Sequence, residues 1–138
     1  MRNRIVKVKG TNISLNAARI AELAEAGDPL MQATLGMMIL SKTLPFRRRE
    51  EGIEWLKRAA DSGDPLGMYV LARAYGVEGE LDPDGSEARM WMERSAKAGH
   101  PAAQAEYGIS LLDEGADIDQ VDYWVTSAFN GGDCRGVY

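Results

Sequence analysis

The chain is short of the residues that most active-site chemistry needs. Cys134 is the only cysteine and His100 the only histidine among 138 residues. One thiol cannot close an intramolecular disulfide or build a thiolate metal cluster. One imidazole excludes histidine-rich metal sites and leaves no Ser/His or Cys/His pair elsewhere in the chain. No apolar run reaches the roughly 18–20 residues that a membrane-spanning helix needs. The basic N-terminus (Arg2, Arg4, Lys7, Lys9) is not followed by an apolar segment of signal-peptide length. The expectation is a cytoplasmic protein without a membrane partner, a metal or a cofactor.

Basic charge is scarce in one half. Residues 1–75 carry 12 Lys/Arg against 8 Asp/Glu, a net +4, whereas residues 76–138 carry 4 against 13, a net −9. An acidic half repels nucleic acid and can steer a basic partner, although it also suits a plainly solvated surface. Hydrophobic residues at 45% and charged residues at 27% are ordinary for one globular domain of this length.

What the chain has in abundance is a turn. Ala26-Gly27-Asp28-Pro29-Leu30 is echoed by Ser62-Gly63-Asp64-Pro65-Leu66, by Ala98-Gly99-His100-Pro101-Ala102 and by Gly131-Gly132-Asp133-Cys134, at spacings of 36, 36 and 33 residues. Glycine suits the left-handed position that closes a helix. The Asp (His100 in the third copy) can accept from the first free amides of the next helix, and proline fits that helix's first position. Each copy therefore ends one helix and begins another.

Between the turns the apolar residues recur at helical spacing. Ile53, Leu56, Ala59 and Ala60 form one stripe with Trp55 beside them, Met68, Leu71, Ala72 and Tyr75 a second, and Tyr107, Gly108 and Leu111 a third. Asp84-x-x-Glu87 and Asp117-x-x-Gln120 read as capping boxes. Small residues at 36, 72 and 108 would let paired helices approach closely, which offsets the roughly 1 kcal/mol that a central glycine costs a helix. The pattern predicts an all-α fold: an α/α superhelix (solenoid) of three helical-hairpin repeats, about 28–63, 64–99 and 100–132. A basic arm (1–14), whose residues 4–9 alternate partly as a strand would, and one extra helix (15–27) precede it. A partial capping turn (133–138) follows.

Read across its copies, the repeat is small-x-Leu-Gly-x-x-Tyr, a variable loop, Asp-x-x-x-Ala-x-x-Trp, then Ala-Ala-x-x-Gly-x-x-x-Ala. Residues 65–102 carry it most fully, with Leu71, Ala72, Tyr75, Asp84, Ala88, Trp91, Ala96 and Gly99 in place. This resembles the Sel-one-like repeat family, relatives of the tetratricopeptide repeats, over roughly residues 15–138. The resemblance implies a non-enzymatic adaptor whose concave face is built mainly by the first helix of each pair. Arg48 departs from the pattern, standing where a loop Asp is expected, so the first loop must cap its helix differently.

Two surfaces are candidates for partner binding. The period makes Met37, Arg73 and Ile109 equivalent, and likewise Ala33, Tyr69 and Ala105. The resemblance implies that these rows face a concave groove, with Met37, Tyr69, Arg73 and Ile109 as its contact residues. Packing between repeats is the competing reading for Met37 and Tyr69. An apolar groove with a central arginine suits a protein segment that bears an acidic group. The second surface is an acidic edge of Glu78, Glu80, Asp82, Asp113, Glu114 and Asp119. Its first carboxylates have the density of a calcium loop, but Trp91 stands where an EF-hand beginning at Glu80 would need its glutamate. The tryptophans and most methionines sit at helical spacing that suits packing.

The functional expectation is a non-enzymatic protein-binding module. Its narrowest form is a cytoplasmic immunity-type protein whose acidic edge captures a basic toxin or effector. The alternative is a general adaptor holding a peptide in its groove. Because residues 132–138 repeat only the opening of the turn, either those residues cover the last unit's apolar face or another chain does, and the second option makes a homo-oligomer through the C-terminal end a further expectation.

Overall fold

The computed structural model describes residues 11–44, 47–77 and 82–131, with side chains from Ala17 onward. Seven helices account for the regular structure of these residues: α1 (Thr11–Glu25), α2 (Pro29–Leu40), α3 (Arg49–Asp61), α4 (Pro65–Val77), α5 (Ser86–Lys97), α6 (Pro101–Asp113) and α7 (Ile118–Phe129). Each packs on the next, and α2 also packs on α4, so the hairpins α2/α3, α4/α5 and α6/α7 stack behind α1 as an all-α superhelix. None of the described helices is long and apolar enough to cross a membrane.

The turns form for the reasons their residues supply. Gly27, Gly63 and Gly99 have φ of 102°, 88° and 100°, the left-handed region in which a side chain is strained. Asp28 accepts from the amides of Leu30 (3.0 Å) and Met31 (3.2 Å), and Asp64 from Gly67 (2.8 Å). The last closing glycine among the described residues is Gly131 (φ 70°), one residue earlier than the 33-residue spacing to Gly132. Helix α1 begins at Thr11, four residues before the expected start. Asn12 and Ser14 are only mildly poor helix formers, so nothing local stops the helix from extending towards Gly10. The strand-like stretch 4–9, Pro45, Phe46 and Cys134 lie outside the described residues.

Two loops cap their helices differently from expectation. Asp82 rather than Asp84 holds the start of α5, its two oxygens accepting from Glu87 N (3.0 Å) and Ala88 N (2.9 Å). Asp84 accepts from Ser86 N (3.0 Å) instead, which lowers its pKa. Asp117 stands at the N-cap of α7 but makes no side-chain cap bond. At α3 the missing Asp is replaced by Glu51, which reaches back to Arg48 N (3.3 Å) and takes Arg47 Nε at 2.8 Å.

Packing is closest where the residues are smallest. A Cβ on Gly36 would lie 2.7 Å from Leu56 Cγ and 2.8 Å from the Gly52 carbonyl oxygen, so α2 and α3 touch backbone to backbone. Buried glutamines tie each of two hairpins to the helix before it: Gln32 Nε2 of α2 donates to Ala24 O of α1 and Gln104 Nε2 of α6 to Ala96 O of α5, both at 3.1 Å. Each carbonyl also accepts from the glycine amide that closes its turn (Gly27 N and Gly99 N, both at 3.0 Å), so the glutamine supplies its second donor. The core runs as overlapping clusters along the stack, with Leu35, Leu56 and Leu71 fully buried. Trp55 and Trp91 are also buried, each under an arginine (Arg58 at 4.5 Å, Arg94 at 5.1 Å), so they belong to the packing.

Candidate protein-binding surface

Helices α2 and α4 are the first members of adjacent hairpins. Proline and the capping Asp start both at the same point of the repeat, so residues 36 apart come side by side. Met37, Tyr69 and Arg73 consequently line one open depression of about 420 Å³, with Leu40, Val70 and Val77 supplying apolar wall and Arg49 reaching in from the start of α3. Met37 and Tyr69 are half-buried and Arg73 is exposed. Ile109, the fourth expected groove residue, is 55% exposed on α6 and does not line this depression. Ala33, equivalent to Tyr69, is fully buried, so the second row does not run the length of a groove.

Arg73 already has an anionic partner. Its Nη1 donates to Glu106 Oε2 at 2.7 Å, and the Tyr69 hydroxyl donates to the same oxygen at 2.7 Å. Burial, and then the bond to Glu106, raises the Tyr69 pKa and keeps the phenol a donor. Tyr69 also stacks on His100 with ring centroids 4.7 Å apart. His100 takes the capping place that Asp fills elsewhere, accepting from Ala103 N at 3.4 Å through Nδ1. Burial lowers the His100 pKa, with Asp64 and Glu106 acting in the opposite sense. The imidazole is thus held neutral, the form that can accept a hydrogen bond.

The acidic edge is thinner than the charge count implied. Glu78 and Glu80 lie outside the described residues. Asp82 is corrected from edge to interior: it is 5% exposed and both its oxygens cap α5. Glu114 is exposed but ion-paired with Arg89 of α5. Asp113 and Asp119 are exposed, Asp119 beside a depression of about 400 Å³ that it shares with Ile118, Val121, Asp122 and Val125. The sequence reading missed Glu106 and Arg49. Glu106 lies 33 residues from Arg73, and no local pattern links an α4 cation to an α6 carboxylate. Arg49 belongs to the run Arg47-Arg48-Arg49-Glu50-Glu51, whose opposite charges sit next to one another and mark no single residue.

The Sel1 repeat model matches residues 48–64, 65–100 and 101–123, more than half of the chain. An uncharacterized protein of Neisseria meningitidis serogroup B is 32% identical over 100 residues, or 70% of this chain, and the chain spans 20% of that relative's length. A crystal structure of a Sel1 repeat protein from Oxalobacter formigenes matches with a TM-score of 0.69 at 23% identity, covering 82% of this chain and 88% of that one. At that identity the likeness bears on the fold alone. Stacked hairpins, repeat residues and the family match agree, and the chain belongs to the Sel1 repeat family, whose repeats generally form non-catalytic protein-binding modules.

Proposed function

We propose that this chain is a non-enzymatic adaptor that holds an apolar segment of a partner protein, bearing a carboxylate, against α2 and α4. The observation that carries this reading is the meeting of Met37, Tyr69 and Arg73 in one depression with Arg49 at its edge. Apolar wall supplies area, and a guanidinium with five donors can hold a second acceptor while it bonds Glu106. Quantitative affinity purification from the source cells tests the reading. The wild-type chain should retain partners that Arg73→Glu and Tyr69→Ala lose and that Asp113→Lys/Asp119→Lys keeps. Retention of the same proteins by Arg73→Glu would sink it.

A second, narrower reading is supported by the exposed carboxylates Asp113 and Asp119. It makes the partner a basic toxin or effector, neutralised in the cytoplasm as an immunity protein would. Here the pattern inverts, and the doubly reversed edge loses the partner while Arg73→Glu keeps it. Co-expression with neighbouring gene products reads it directly, because the edge variant should fail to protect the cell.

A further inference from the structure

Helix α7 is the last described copy of the repeat's second helix, and α5 shows what that helix does inside the stack. Met92 and Ala96 of α5 pack in one cluster with Ala103, Tyr107 and Leu111 of the following helix. Arg89 of α5 pairs with Glu114, just beyond that helix. Thirty-three residues on, the equivalent positions are Val125, Phe129 and Asp122. Ala96 is fully buried, whereas Phe129 is 88% exposed, and Ile118 at the start of the same helix is 65% exposed. The repeat's docking face is thus presented again on α7, carrying more apolar surface than inside the stack. Its charge is reversed, because an aspartate stands where α5 uses an arginine to hold an acidic partner.

We propose that this face of α7 seats the basic, apolar segment Arg2–Lys9 of a second copy of the chain, joining copies head to tail. The segment Arg2-Asn3-Arg4-Ile5-Val6-Lys7-Val8-Lys9 interleaves four cations with three β-branched residues. Ile5, Val6 and Val8 match the apolar strip of Ile118, Val125 and Phe129, and the lysines match the rim at Asp119 and Asp122. The occupant comes from another copy because α1 and α7 lie at opposite ends of the stack with five helices between them. Crossing three layers at about 8–10 Å each would consume most of the roughly 33–36 Å that ten fully extended residues can reach. Little would remain to lie along α7. Because the two contacting surfaces differ, the contact is heterologous, and each copy can donate one segment and receive another.

Sedimentation velocity of the full chain, from low micromolar to several hundred micromolar, reads the proposal with no other protein present. This separates it from capture of a foreign basic partner at the same rim. The expected result is concentration-dependent growth beyond the monomer that weakens as salt is raised. Phe129→Ser should weaken association about tenfold or more, the change expected from losing a buried aromatic contact. Lys7→Glu/Lys9→Glu reverses the segment's charge and should leave a monomer, and mixing that variant with Asp119→Lys should restore association. Zero-length carbodiimide cross-linking of isotopically light and heavy chains locates the contact, with Lys7 or Lys9 joined to Asp119 across copies. A monomer at every concentration, cross-links confined to one copy, or growth unaffected by the lysine reversals would overturn the proposal.

Discussion

The first and last hairpins use the same positions of one repeat and place them in opposite environments. Leu56 of α3 is fully buried, while its equivalent on α7, Val125, is 41% exposed. Ala60 is 3% exposed and its equivalent Phe129 88%. Gly36 admits no Cβ without colliding with backbone, whereas a Cβ on Gly108 would meet Trp124 Cβ at 3.1 Å and Val125 Cγ2 at 3.2 Å, contacts that a small shift relieves. A repeat position thus has no fixed energetic value. Its neighbours on both sides set that value, as expected for a stack whose stability is a sum of units and their interfaces.

The sharpest way to break this comparison is truncation at the shared position. Leu56→Ala should cost about 2–5 kcal/mol, because a fully buried leucine leaves a cavity. Val125→Ala should cost under about 1 kcal/mol, in the range of surface substitutions. Urea denaturation measures both, and equal losses would show that the hairpins are equivalent after all.

The glycine pair comes next. Gly36→Ala forces a methyl against the Gly52 carbonyl and should destabilise by about 1–3 kcal/mol, whereas Gly108→Ala should cost less because side chains rather than backbone must yield. If Gly108→Ala proved the costlier, the third hairpin would be the tighter one.

The third test uses the turn that joins the second hairpin to the last. His100 replaces the Asp of the other turns, and burial lowers its folded-state pKa below the usual 6.5. The unfolded chain then binds the proton first, so this contribution to stability is complete above about pH 6.5. It is lost as pH falls towards the lowered value and stays level below it. His100→Asp should remove this dependence between pH 5 and 7 while keeping the cap, which denaturation midpoints across that range would register. An unchanged slope would show that the imidazole does not carry it.

The smallest stability effect concerns the contact between the hairpins on the groove side. Arg73 and Glu106 pair with side chains 57% and 38% exposed, so Glu106→Gln should change stability by no more than about 1 kcal/mol. The same substitution removes Arg73's internal counter-ion, and partner retention in the purification described above should rise. A fall in retention would assign Glu106 to partner contact.

Much of the fold was legible because its signals are local. A glycine that permits positive φ, an acceptor one residue later and a proline after that define a turn within three residues, whatever packs around them. The stripe Ile53, Leu56, Ala59 and Ala60 was readable for a similar reason, since helical spacing alone gathers those residues on one side. The loops were less legible. Asp84 has the spacing of a capping box, yet Asp82 holds the α5 amides because the path of the loop, rather than residue spacing, brings its carboxylate over them.

The sequence by itself determined the helix order, the turn chemistry and the close approach at Gly36, all of which follow from steric and hydrogen-bonding rules acting over a few residues. It also placed Met37, Tyr69 and Arg73 in register, because a 36-residue period carries positions from one hairpin to the next. Only the tertiary structure decided which charges face outward. Asp82 turns inward, Glu114 meets Arg89, and Arg73 meets Glu106 across 33 residues. Formal charge is a property of composition, whereas an available charge depends on what lies within about 4 Å of it, and that distance is set by packing between hairpins.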